Sequence, residues 1–229
     1  MERPELRNGD PGSITGLDGK TALITGGNSG IGFGAAKQMI AEGAFVYITG
    51  RDQERLDRSV SDLGDQSRAI RADATRLSEM QGVVESIRAE RGSLDIVFAN
   101  AGAAWYDTIE NLSEENLDKG LALDIKGTVF TAQAALPLLS DGGSIIVNTS
   151  ITKNMGVPTF GVYAAAKAGL RSFVRTWMNE LRDRRIRVNA VSPGVIRTES
   201  HEKDMGADGA EASVKRVVEE MLGRCATVS

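Results

Sequence analysis

The chain has 229 residues, 41% hydrophobic and 25% charged, which suits one large domain with a substantial core. Its net charge of −4 and pI near 5.2 argue against nucleic-acid binding through phosphates, and without a run of about 18 apolar residues no membrane-spanning helix is expected. The single cysteine, Cys225, leaves no internal disulfide and fits a reducing, cytoplasmic setting, while the single histidine, His201, excludes a multi-histidine zinc centre, so no metal is expected.

Residues 1–16 are polar and rich in Gly and Pro and read as a loose tail. Residues 17–229 then read as a single domain in which strand-like and helix-like segments alternate. Thr21 to Thr25 is a buried-strand run ending in glycines, and Ile31 to Glu42 is a helix stopped at Gly43. Phe45 to Thr49 is the second strand and Gln53 to Leu63 the second helix, with Asp52 as its N-cap. Ser67 to Ala72 is a third strand, followed by a helix over Ser78 to Glu90 with Ser78 as N-cap. Leu94 to Ala99 is a fourth strand, Asn116 to Leu139 one long helix, Gly143 to Thr149 a fifth strand. Phe160 to Arg184 is another long helix, and Arg187 to Ser192 a sixth strand. Strict alternation of this kind predicts an α/β fold, a Rossmann-type doubly wound parallel sheet with helices on both faces. Val214, Val217, Val218, Met221 and Leu222 form an apolar stripe on a last helix, closed by Gly223, within a substrate flap expected around 195–223.

Two patterns carry chemistry. The segment Gly26-Gly27-Asn28-Ser29-Gly30-Ile31-Gly32 follows the first strand and opens the first helix, which is the setting of a dinucleotide-binding turn. Glycines there let the backbone approach a pyrophosphate and let helix and strand pack closely. Further on, Tyr163 and Lys167 are four residues apart on one helical face. A lysine ammonium beside a phenol favours the phenolate and is expected to lower the tyrosine pKa from roughly 10, fitting it for acid–base work on an alcohol or ketone.

With these motifs in order, the chain resembles the classical short-chain dehydrogenases/reductases from about Leu17 to Thr198. Thr25-Gly26-x-x-x-Gly30-x-Gly32 is similar to their cofactor turn and Asn100-Ala101-Gly102 to a second signature. Ser150 stands thirteen residues before Tyr163, and Tyr163-x-x-x-Lys167 completes the centre. Pro193-Gly194-Val195 with Thr198 matches the segment at the nicotinamide end. The resemblance implies hydride transfer between a nicotinamide cofactor and a carbonyl or secondary alcohol. Tyr163 would be acid or base, Ser150 would hold the substrate oxygen, and Lys167 would bind the nicotinamide ribose and hold the phenol pKa down. It implies that Asp73 contacts the adenine.

At the end of the second strand, where an acidic residue would hold the ribose of NAD(H), stand Gly50 and Arg51. A guanidinium suits a 2′-phosphate, so NADP(H) is expected over NAD(H). One departure is chemical. The family's asparagine in Asn-x-x-Gly is Asp124 here, in Asp124-Ile125-Lys126-Gly127. Through its backbone carbonyl, which in the family is thought to hold a water linked to the lysine, Asp124 is expected to serve as a fourth, relay member. A carboxylate there is also able to shift neighbouring pKa values.

Family members continue into a seventh strand, and this chain stops at Ser229, so six strands are expected, with the sixth as an edge. The resemblance implies a homo-oligomer, a dimer through the long helices. Met155, Val157, Pro158, Phe160, Trp105 and Tyr106 are available for an apolar substrate wall. Two other readings remain: a cofactor-binding protein without turnover, and a Rossmann-fold epimerase or dehydratase that also uses Tyr-x-x-x-Lys.

Overall fold

The computed structural model describes residues 16–196. The expected tail, Thr198, His201, the 212–222 helix and Cys225 lie outside them.

Six strands form one sheet: β1 (Thr21–Thr25), β2 (Phe45–Gly50), β3 (Ser67–Arg71), β4 (Leu94–Ala99), β5 (Leu139–Asn148) and β6 (Arg187–Val191). All neighbours are parallel, in the order β3-β2-β1-β4-β5-β6. β1 reads Thr-Ala-Leu-Ile-Thr and is buried at every position, as a central strand covered on both faces must be. Side-chain alternation splits its core contribution. Leu23 joins Tyr47, Met80, Ile87, Val97 and Leu170 on one face. Ala22 and Ile24 join Val46, Ile48, Leu56 and Phe98 on the other.

The helices are α1 (Gly30–Ala41), α2 (Gln53–Leu63), α3 (Leu77–Arg91), α4 (Glu114–Leu121), α5 (Gly127–Ala135) and α6 (Gly161–Glu180). Asp52 caps α2 as expected, its Oδ1 accepting the Arg55 N–H at 3.1 Å. Four expectations are corrected. Ser78 lies inside α3, whose preceding residue Arg76 makes no side-chain cap. The single helix expected over Asn116 to Leu139 begins earlier, at Glu114, where Ser113 Oγ accepts the Asn116 N–H. It is also interrupted by a wide π-type turn, Ala122–Lys126, in which the Gly127 N–H reaches back to the Ala122 carbonyl. It ends at Ala135, short of Pro137, which has no N–H to continue the ladder. β5 starts at Leu139 and not at Gly143, because Leu139 pairs with Leu94 before the register shifts. α6 stops at Glu180 and gives way to a 3₁₀ turn, Arg182–Arg184, ending in left-handed Arg185.

The sheet order reverses between β1 and β4. In open α/β sheets the carboxyl ends of such a pair splay apart and leave a crevice. The turn after β1 and the Asn100-Ala101-Gly102 segment after β4 both open onto it. Among the described residues, β6 is an edge strand, as expected, and no helix is long and apolar enough to cross a membrane.

Candidate active site

A cleft of about 1400 Å³ runs along the carboxyl ends of the strands. That is larger than a site for one small ligand and suits a dinucleotide with a substrate beside it. Gly26, Asn28, Ser29, Gly30, Ile31, Arg51, Asp73, Asn100, Ala101, Gly102, Ser150, Tyr163, Lys167, Pro193, Gly194 and Val195 all line it. Gly32 sits behind the turn, and Asp124 is fully buried behind Lys167.

At the turn, Gly26 (φ 64°) and Gly30 (φ 51°) are left-handed, a conformation that disfavours side chains. Gly32 is needed for space. A Cβ there would press on the Gly26 carbonyl and lie 2.6 Å from Asn100 Nδ2. The Asn100 amide explains the tightness: it donates to the carbonyls of Thr25 (3.0 Å) and Gly26 (3.2 Å). In return Thr25 Oγ1 accepts the N–H groups of Asn100 and Ala101, at 3.1 and 3.2 Å. The two signatures, distant in sequence, thus form one clamp. Gly32→Ala is expected to cost about 1–3 kcal/mol by overpacking and to weaken dinucleotide binding, read by thermal unfolding and by nucleotide titration.

At the end of β2, a side chain on Gly50 would lie 3.1 Å from the Asn28 Oδ1 and Cγ. A side chain at 50 would therefore need the Asn28 amide to give way by a few tenths of an ångström. Arg51, Asp52 and Arg55 line the rim beside it, with the Asp52 carboxylate already capping α2. Asp73, at the end of β3, accepts from Thr75 N (2.9 Å) and Thr75 Oγ1 (2.8 Å). Burial pushes its carboxyl up, but the Thr75 bonds and the nearby Arg51 and Arg76 outweigh this and leave it below the usual carboxylate range.

The candidate reaction centre draws on three elements. Ser150, buried at the end of β5, caps a 3₁₀ turn (Ile151–Asn154), its Oγ accepting Thr152 N at 3.2 Å. Tyr163 and Ser150 line the same stretch of the cleft, and Ser150 is the neighbour that pulls the phenol pKa down. Lys167 is 3% exposed and donates to the Asn148 carbonyl at 3.0 Å. Its Nζ lies 5.4 Å from the Tyr163 ring centroid and 2.9 Å from Asp124 Oδ1. The Asp124 contact is an ion pair by proximity without a well-directed hydrogen bond. Asp124 lies within the wide turn Ala122–Lys126. The Asp124 carbonyl accepts from Thr128 Oγ1 at 2.8 Å, and its side chain stands against Lys167 Nζ.

The expected lowering of the Tyr163 pKa is therefore corrected. Burial pushes the phenol above its ordinary value; the Ser150 side chain pulls it down, and the Asp124 charge pushes it up again. For Asp124 too, burial raises the carboxyl above its ordinary range despite the Lys167 ammonium and the Ala103 N–H. The spacing of Tyr163 and Lys167 gave no sign that a carboxylate would stand against the ammonium.

Asn148 is the residue that sequence reasoning missed. Its Nδ2 donates to Asn100 Oδ1 at 2.9 Å while its carbonyl receives Lys167, tying the glycine-turn clamp to the reaction centre. Its position two residues before Ser150, at a strand end, was the available signal. Its Oδ1 and Thr152 Oγ1 are buried without partners, and both residues line the cleft. Beyond Tyr163 the wall is aromatic. Phe160 stands edge-on to Tyr163 (6.0 Å between centroids) and to Tyr106 (4.9 Å). Met155, Val157 and Pro158 continue it. Trp105, expected in the same wall, instead packs against Gly120, where a Cβ would lie 3.1 Å from its Cδ1. Thr159, at φ 70°, is a strained β-branched residue on the cleft rim, held where its carbonyl accepts the Asp107 N–H at 3.0 Å.

Comparison with known proteins agrees with this geometry. The family model described as short chain dehydrogenase matches residues 20–208. Oxidoreductase asL5 of Sarocladium schorii is 47% identical over 199 residues, 86% of this chain and 80% of that one. The hydroxynaphthalene reductase-like protein Arp2 of Metarhizium brunneum is 34% identical, over 81% of this chain and 72% of its own. Among solved structures, a 3-ketoacyl-(acyl-carrier-protein) reductase from Brucella melitensis complexed with NADH superposes with a TM-score of 0.77. It is 29% identical and covers 80% of this chain and 79% of that chain. The parallel sheet, the clamped glycine turn and the matched span together place this chain in the short-chain dehydrogenase family of oxidoreductases.

Proposed function

We propose that the protein interconverts a carbonyl and a secondary alcohol with NADP(H), using Ser150, Tyr163 and Lys167. The observation that carries this reading is that Tyr163, Ser150 and Lys167 share one cleft with the glycine turn. The residues present fit a dinucleotide: Gly26 and Gly30 take left-handed backbone at the turn, and a Cβ on Gly26 or Gly32 would press on Asn100, so the tight turn facing the cleft depends on glycine. Bound nicotinamide supplies or accepts the hydride. Tyr163 gives its phenolic proton to the carbonyl oxygen in reduction and takes the hydroxyl proton in oxidation. Ser150 donates a hydrogen bond to the same oxygen and stabilises charge developing there. Lys167, fixed by Asn148 and Asp124, holds a positive charge beside the phenol. The Phe160 and Tyr106 rings favour a flat, apolar carbonyl compound, a class that the name of the Arp2 relatives also points to.

Preference for NADP(H) rests on Arg51 at the rim, with no acidic side chain at Gly50 and the Asp52 carboxylate engaged by its helix. Arg51→Ala is expected to weaken NADPH binding roughly 10- to 100-fold, the loss of one charge-assisted contact, and to leave NADH binding nearly unchanged. Fluorescence titration with both nucleotides, then a panel of aromatic and aliphatic ketones and alcohols, tests the reading. Tighter binding of NADH than NADPH by the parent protein would reject the NADP(H) assignment.

A further inference from the structure

The Asp124–Lys167 pair has a consequence for the direction of proton transfer, and it rests on the function proposed above. We propose that Asp124 is a positioning residue whose carboxylate takes up the Lys167 ammonium, so that the centre is biased toward giving a proton to a carbonyl rather than removing one from an alcohol. Three observations carry this. The carboxylate and the ammonium are 2.9 Å apart and 0% and 3% exposed, so their interaction is little screened. Gly102 is shaped around them: a Cβ there would lie 2.5 Å from Asp124 Oδ1 and 3.0 Å from Lys167 Nζ. Asp124 lies within the wide turn Ala122–Lys126 and is itself buried there.

Lys167 would otherwise be the cation nearest the phenol, favouring the phenolate. With Asp124 against it, the pair is close to neutral as seen from Tyr163; burial is the main cause of the raised phenol pKa, and the Asp124 charge adds to it in the same direction. Among the described residues, four other charged groups on neighbouring elements have partners of their own. Lys153, on the turn after Ser150, donates to Ser192 Oγ at 2.8 Å and to the Ser150 carbonyl at 3.4 Å. Asp107, next to the aromatic wall, accepts from Asn116 Nδ2 at 3.1 Å. Lys126 lies over the Phe130 ring, 5.4 Å from its centroid. Lys119 of α4 is paired with Glu115. In reduction the carbonyl carbon gains the hydride from NADPH and the carbonyl oxygen takes the Tyr163 proton, leaving NADP⁺ and a phenolate that must be reprotonated from solvent. A centre that keeps the phenol protonated restores itself readily after each such turnover.

The test compares the parent with Asp124→Asn, which keeps the shape and removes the charge. The pH profile of kcat/KM for alcohol oxidation is expected to shift its acidic limb downward by about one unit or more in the variant, with the alkaline limb of ketone reduction following. Coincident profiles for a folded variant would overturn the proposal, because a purely structural role lowers rates without moving the limbs. Tyrosinate absorbance, taken with and without the Tyr163→Phe change in the parent and in Asp124→Asn, gives a second readout that needs no turnover. A Tyr163 midpoint lower in Asp124→Asn than in the parent supports the proposal, and an unchanged midpoint, or a parent midpoint below the ordinary value of about 10, overturns it. A parent without turnover in either direction would count against the proposed function and leave this titration to decide the role of Asp124.

Discussion

Tyr163→Phe is expected to lower turnover about 100- to 10,000-fold while NADPH affinity stays close to that of the parent. The ring remains, so its edge-on packing with Phe160 and the shape of the cleft are kept. Only the hydroxyl is lost, and with it the proposed proton donor. Turnover measured by nicotinamide absorbance, with nucleotide titration in parallel, separates the two effects. A matching loss of affinity and rate would point to a damaged site instead of a missing proton.

Lys167→Ala should be the most destabilising substitution in the cleft. It leaves the Asp124 carboxylate fully buried without its cation, and breaking one side of a buried pair costs about 3–5 kcal/mol. For a chain of this size that is a drop in Tm of roughly 6–20 °C. The loss should depend on pH. Burial already holds the Asp124 carboxyl above its usual range, and removing the ammonium takes away an interaction that lowers it. A carboxyl with a raised folded-state pKa binds its proton more tightly in the folded protein. The folded state therefore gains as pH falls through that pKa toward the unfolded value, and loses as pH rises through it. The deficit of Lys167→Ala relative to the parent is expected to be largest at neutral and alkaline pH and to shrink on acidification. Thermal unfolding across pH checks this, and a deficit that grows toward low pH would contradict it.

Much of the fold was legible because parallel strands are buried runs with sharp ends. β1, β4 and α2 fall where the sequence pattern placed them, and the turn chemistry of Gly26 to Gly32 pointed to the crevice. The interruption of the α4–α5 segment was not legible. A π-type turn adds one residue per turn without changing composition, so the apolar pattern runs through it. The early start of β5 was hidden because Ser140-Asp141-Gly142-Gly143 reads as a turn, and only pairing of Leu139 with Leu94 makes it strand. At the site, the residue types and spacings of Ser150, Tyr163 and Lys167 were visible in the chain. The electrostatics were not, because they depend on contacts across elements: Asp124 on Lys167, and Asn148 between Lys167 and Asn100. A spacing along one helix predicts who is near on that helix and says nothing of what the rest of the molecule sets against it.

The account stands on the glycine turn and Tyr163 serving a single dinucleotide-and-substrate cleft. A crystal structure of the protein with NADP⁺ and a ketone tests it most directly. The account predicts the pyrophosphate at Gly26–Gly32, the 2′-phosphate on Arg51, and the ketone oxygen within hydrogen-bond reach of both Tyr163 and Ser150. Dinucleotide bound away from that turn, or a ketone oxygen remote from Tyr163, would contradict it.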